Sequence, residues 1–121
     1  MQIRFFIPKK VMSLNAVLKM HWIKRSTIKQ SWGEWIFKAW MEHKRYVFTK
    51  PVKVVYIISE PIKRIRDKDN YIGGAKEILT DYLKKTFFTR DDAEWLKSID
   101  VGFIKGPTGV HVVIEDTVDG L

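Results

Sequence analysis

Pro51-Val52-Lys53-Val54-Val55-Tyr56-Ile57-Ile58-Ser59-Glu60 is a β-branched run in which Lys53 alone interrupts the apolar series before Ser59. A strand with one wet face alternates apolar and polar residues, so this run reads as a central strand covered on both faces. Pro51 opens it and Glu60-Pro61 ends or bends it, because proline cannot donate to a ladder.

Working upstream, Ile28, Trp32, Trp35, Ile36, Ala39 and Trp40 recur at helical spacing, which predicts a helix starting from an N-cap at Ser26 or Thr27. His43, Lys44 and Arg45 at its end suit the negative pole of the helix dipole. Residues 12–25 lack periodicity and read as a structured loop, and residues 2–7 as a first strand stopped by Pro8. Downstream, Ile62 to Asn70 leads to Gly73-Gly74, read as a tight turn. A second helix follows over 74–85, with Ala75, Ile78, Leu79, Tyr82 and Leu83 on one face. Residues 98–104 and 109–115 read as two strands of a hairpin joined by Lys105-Gly106-Pro107-Thr108. The order β-α-β-α-β-β, without repeat or linker, predicts one α/β (α+β) domain over residues 1–121, helices packed on a small mixed sheet.

The composition of these 121 residues excludes several classes. With 45% hydrophobic residues and five Trp, the chain has ample material for a core and is no disordered tail. Absence of cysteine removes disulfides, thiolate metal sites and cysteine nucleophiles, and fits a reducing, cytoplasmic setting. No apolar run approaches the ~20 residues of a membrane span, and the N-terminus lacks a signal-peptide pattern. A formal charge of +8 favours a polyanionic partner, nucleic acid before a membrane surface.

That charge is unevenly divided. Residues 1–66 hold 15 Lys and Arg against 3 Asp and Glu, whereas residues 67–121 hold 7 against 11. Lys63-Arg64-Ile65-Arg66 runs directly into Asp67-Lys68-Asp69-Asn70. Carboxylates facing nucleic acid repel phosphate unless a cation stands between them, which points to metal-dependent phosphodiester chemistry. If extended, Asp67 and Asp69 share a side and could flank a divalent ion, with Asp91-Asp92 as donors of a further ligand and Lys76 available to stabilise a developing oxyanion. The plainer readings are a solvated turn at Asp67-Asp69 and an N-cap at Asp91-Asp92. His21, His43 and His111 lie in separate elements without metal-ligand spacing and read as surface or structural; the Trp residues read as core first.

Arg64-Ile65-Arg66-Asp67-Lys68-Asp69-Asn70, then Gly73-Gly74-Ala75-Lys76, then Arg90-Asp91-Asp92, resembles the RusA family of Holliday junction resolvases. Ser13-Leu14-Asn15, His21-Trp22 and Arg25 look like that family's opening segment, so the resemblance spans most of the chain. It implies a homodimeric, Mg²⁺-dependent endonuclease, with Mn²⁺ as a substitute, that nicks opposing strands of a four-way DNA junction symmetrically. By position, Asp67 and Asp69 match its metal ligands and Lys76 its active-site lysine. Asp92, with Asp91 beside it, matches the third carboxylate, and Asn70 the Asn that follows the D-x-D. Two departures stand out. The Asp69–Lys76 spacing is the longer one of some phage-type relatives, and Thr80 stands where a helix Asp is common, with Asp81 displaced by one.

Lys24, Arg25, Lys29, Arg64 and Arg66, from the basic half, are the candidate DNA-backbone contacts, with Asn70 beside them. Rival readings are a flap or branch nuclease using the same carboxylates, a junction binder that no longer turns over, and an RNA-associated basic protein.

Overall fold

A computed structural model describes residues 1–62, 68–90, 92 and 94–116. Asp67, Arg64, Arg66 and Asp91 lie outside them.

The chain folds as a small α+β domain built on one four-stranded mixed sheet. In order come β1 (Gln2–Ile7), α1 (Leu14–Leu18), α2 (Trp22–Glu42) and β2 (Val52–Glu60). A continuous helical run follows: α3 (Lys68–Ala75), a π-turn (Lys76–Thr80) and α4 (Asp81–Lys84). Two strands, β3 (Leu96–Lys105) and β4 (Gly109–Asp116), complete the sheet. Its spatial order is β1-β4-β2-β3.

β2 is central, as its composition predicts. The expected hairpin between the last two strands is not made: β2 lies between them, antiparallel to β4 and parallel to β3. The turn after Lys105 crosses the end of β2, where the Gly106 N–H donates to the Glu60 carbonyl. Sequence proximity favours a hairpin, but the run from β2 through α3 and α4 back to β3 makes a parallel crossover and takes that place.

Helical structure begins earlier than the periodicity indicates. Residues 14–18 of the expected loop are helical, with the Ser13 hydroxyl accepting from the Ala16 N–H. α2 starts at Trp22, capped by His21 Nδ1 accepting from the Ile23 N–H. An imidazole in a capping role, followed by an exposed first turn, carries no apolar period to read. α2 ends at Glu42, and beyond it Lys44 and Arg45 both take left-handed φ.

Gly73 and Gly74 form no turn; they lie inside α3. A Cβ on Gly74 would come within 2.1 Å of the Met12 carbonyl oxygen, and one on Gly73 within 2.8 Å of Leu14 Cδ2. The glycines let α3 lie against the segment leading into α1.

The core lies between the helices and one face of the sheet: Val52, Val54, Tyr56 and Ile58 of β2, Val110, Val112 and Ile114 of β4, and Trp32, Ile36, Leu79, Leu83, Phe87 and Phe88. The opposite face holds Val55, Ile57 and Val113, only partly buried and outside that cluster. β2 is thus covered on one face, not both. Among the described residues no helix is long and apolar enough to cross a membrane.

Candidate functional site

Asp69 lies in the first turn of α3, so it is helical where the D-x-D reading assumed an extended pair. Its side chain is exposed, and a carboxylate at a helix N-terminus sits favourably in the helix dipole. Lys76 stands nine residues into this run, not near its start, because the helix begins at Lys68. Seven residues separate Asp69 from Lys76. Seven steps of 100° amount to nearly two full turns, which puts both on the same exposed side about 10 Å apart along the axis. Neither has an ion-pair partner among the described residues. The π-turn begins at Lys76, and such turns recur at functional positions.

Asn70 ties this helix to the N-terminal segment. Its Oδ1 accepts a hydrogen bond from the Asn15 N–H at 3.1 Å. Two motifs 55 residues apart therefore meet. Nothing in either segment alone signals this contact, although paired glycines inside a helical pattern are a sign of close backbone approach.

Asp92 is engaged locally. Arg90 Nε donates to its Oδ2 at 2.7 Å, with Arg90 Nη2 also 2.7 Å from that oxygen in an ion pair, and its Oδ1 accepts from the N–H groups of Glu94 and Trp95. Such burial as the carboxyl has works to raise its pKa, but the Arg90 hydrogen bond and charge, with the two N–H groups, outweigh it and hold the group below the usual range. Of the sequence readings the capping one is nearer the geometry found, although Asp92 closes a turn at Glu94-Trp95 that runs into β3 and opens no helix. The Val52 N–H donates to Trp95, which fixes this turn at the beginning of the β2–β3 pair. α3, in contrast, starts beside Asp100, four residues into β3, where Lys68 Nζ lies 3.5 Å from its Oδ1. Among the described residues no three His, Asp or Glu side chains converge on a metal-sized site. Asp69 is a hard oxygen donor of the kind Mg²⁺ prefers, and its expected companions Asp67 and Asp91 lie outside the described residues.

Thr80 is buried, and its hydroxyl lies 3.2 Å from the Tyr56 hydroxyl within the core, while Asp81 is exposed. Burial pushes the Tyr56 hydroxyl well above its ordinary pKa. A carboxylate at position 80 would face this apolar layer, so the threonine fits its surroundings.

The basic candidates divide. Lys24 is exposed and Arg25 half-buried, and neither has a carboxylate partner among the described residues. Lys29 is different: its Nζ lies 3.0 Å from Glu77 Oε1, joining α2 to the π-turn. The first 33 residues contain no acidic residue, so the α2 N-terminus presents its cations undiluted. Trp22 is 68% exposed there, an exception to the reading of the tryptophans as core, whereas Trp32 is buried. The chain matches no protein-family model and shows no significant similarity to a curated protein.

Proposed function

We propose that this protein is a Mg²⁺-dependent, structure-specific DNA endonuclease that resolves four-way junctions by paired nicks, as its resemblance to the RusA resolvases implies. The observation that carries the reading is the placement of Asp69 and Lys76 on one exposed side of a single helix, two turns apart. The longer spacing between them is absorbed as helix and costs no alignment.

Asp67 and Asp69, with a carboxylate of the Asp91-Asp92 pair, would hold the ion, which when bound supplies an activated water and neutralises the phosphate. Lys76, on the same side, holds positive charge toward a phosphate oxygen and favours the more highly charged transition state. Asn70 fixes the angle of α3 against the Asn15 segment, so the carboxylate and the ammonium are presented by a braced helix. Lys24 and Arg25 grip the backbone. Two symmetric nicks call for two copies of this chain related by a two-fold.

A junction binder without turnover is the second reading, favoured by the Asp92 carboxylate being held by Arg90 and the turn amides. Incubation with four-way junction and linear duplex, with and without Mg²⁺, separates them. Paired nicks on the junction that depend on Mg²⁺ and are lost in Asp69→Asn with binding retained support the nuclease. Equal cutting of linear duplex, or nicking by Asp69→Asn, overturns it, and tight junction binding without nicking selects the second reading.

A further inference from the structure

The two edges of the sheet differ. β3 carries Lys97, Asp100 and Lys105, with α3 starting beside it, and charged side chains deter a further strand from pairing. β1, at the other edge, has one charge, Arg4, in a ladder to β4 that runs from Gln2 to Ile7 without a bulge. The phase of that ladder follows from its start. The Asp116 N–H donates to the Met1 carbonyl, so these two residues form a hydrogen-bonded pair. Such pairs alternate along an antiparallel ladder, which directs the backbone groups of Ile3, Phe5 and Ile7 at β4. The N–H and C=O groups of Gln2, Arg4 and Phe6 therefore point to the open side, where no hydrogen bond among the described residues takes them.

α2 runs alongside this edge. Between it and β1 lies a cleft of about 330 Å³, walled on the helix side by Trp35, Lys38, Ala39, Glu42 and His43. A groove between an edge strand and a helix is the shape into which an extended peptide adds as a further strand, with alternate side chains under the helix. The charges around it are mixed. Lys38 lies over the Trp35 ring at 5.2 Å, and Glu34 and Glu42 stand on the same helix. A run of phosphates along the cleft would meet both carboxylates. Arg4 alternates with the buried Ile3 and so lies on the sheet face away from α2, where one acidic side chain paired with it is held apart from them.

We propose that β1 and α2 form a docking groove for an extended segment of a partner protein, which adds antiparallel to β1 as a fifth strand. An acidic side chain of the partner lies opposite Arg4 and aliphatic ones lie opposite Phe5 and Phe6. In that orientation each of Gln2, Arg4 and Phe6 exchanges both of its backbone hydrogen bonds with the residue facing it. The side chain opposite Phe5 enters the cleft beside Trp35 and Ala39, and the one opposite Phe6 covers a ring that is 36% exposed.

The inference does not depend on the nuclease reading, and its test uses the full chain. The probe is fluorescein-labelled Thr-Val-Val-Glu-Val-Thr, which sets Glu opposite Arg4 and Val opposite Phe5 and Phe6. It should bind with a Kd of about 100 μM or tighter. Lys in place of the probe's Glu should weaken binding roughly tenfold, and Arg4→Glu should reverse that order. Circular dichroism confirms that the variant is folded. Two methylated probes test the backbone without altering the protein. Methylation of the Glu amide, which faces β1, should abolish binding, and methylation of the amide of the next Val, which faces away, should change it less than about threefold. Saturating probe should also slow hydrogen exchange at the Arg4 and Phe6 amides, whereas those of Ile3 and Phe5 are protected in the free chain. No binding of the Glu probe up to ~1 mM overturns the proposal. So do equal losses from the two methylations. Protection of Arg4 and Phe6 in the free chain, by a second copy on the edge, or by an oligothymidylate in place of the peptide, overturns it as well.

Discussion

Gly74 and Met12 approach so closely that a Cβ on the glycine would come within 2.1 Å of the Met12 carbonyl oxygen. This contact sets how near α3 lies to the N-terminal segment, and through Asn70 and Asn15 it braces the helix that carries Asp69 and Lys76. Backbone cannot give way as a side chain does. Gly74→Ala is therefore expected to cost about 3 kcal/mol or more. At Gly73 the obstruction is mainly the flexible end of Leu14, and alanine's higher helix propensity offsets it, so Gly73→Ala should stay within about 1 kcal/mol of wild type. Urea denaturation of both variants measures the difference, and equal losses would contradict it.

Asp69→Asn and Lys76→Ala should separate binding from chemistry. Each is expected to lower the rate of junction nicking at least ~100-fold, with the junction Kd changed less than about threefold, because one stabilising group is removed from the reacting phosphate and few from the grip. Single-turnover cleavage with a parallel binding titration reads both. Loss of binding in proportion to rate would show that the two residues hold DNA and do not act on it.

The salt dependence of binding should distinguish cations that look equivalent in the sequence. Lys24→Ala and Arg25→Ala are each expected to reduce the slope of log K against log salt by about 0.9. Lys29→Ala should change it by much less, since Glu77 already neutralises its ammonium. A Lys29 effect equal to that of Lys24 would mean that the ion pair opens on the DNA.

The Arg90–Asp92 turn gives a pH dependence of definite sign. The native Asp92 carboxyl is held below its ordinary pKa, so the turn's contribution to stability is fully present above about pH 3.9 and is lost as pH falls through the native value. Carbon-detected NMR titration should place the Asp92 midpoint below that of an unstructured Asp, and Arg90→Ala should move it upward. A midpoint unmoved by Arg90→Ala would refute the cause.

Tyr56→Phe removes the buried hydroxyl that meets Thr80. It is expected to cost about 1 kcal/mol of stability with nicking unchanged, since Thr80 lies in the core and away from the exposed side bearing Asp69 and Lys76. Thermal unfolding together with a cleavage assay checks both halves of that expectation.

The fold class was legible in the sequence because its signals are local. The Val52–Ile58 run marked a central strand, the Trp32–Trp40 stripe marked α2, and Ala75–Leu83 marked the face that packs under the sheet. Each depends only on how often an apolar residue recurs. The ordered motif from Arg64 to Asp92 likewise named candidate residues, and Asp69 and Lys76 proved to share an exposed side. Asp92 was legible in both of its readings, and its partners are nearer the capping one.

What the chain decided by itself was where its strongly periodic segments lie, β2, the middle of α2 and the Ala75–Leu83 face, and where charge is concentrated, because dihedral preference and hydrophobic period act over a few residues. Only the tertiary structure decided that β2 separates β3 from β4, that Gly73-Gly74 is a close approach and not a turn, and that one face of the sheet is left bare. Those outcomes depend on pairings between residues as distant as Asn15 and Asn70 or Arg4 and Val113, whose energies arise only once the segments meet.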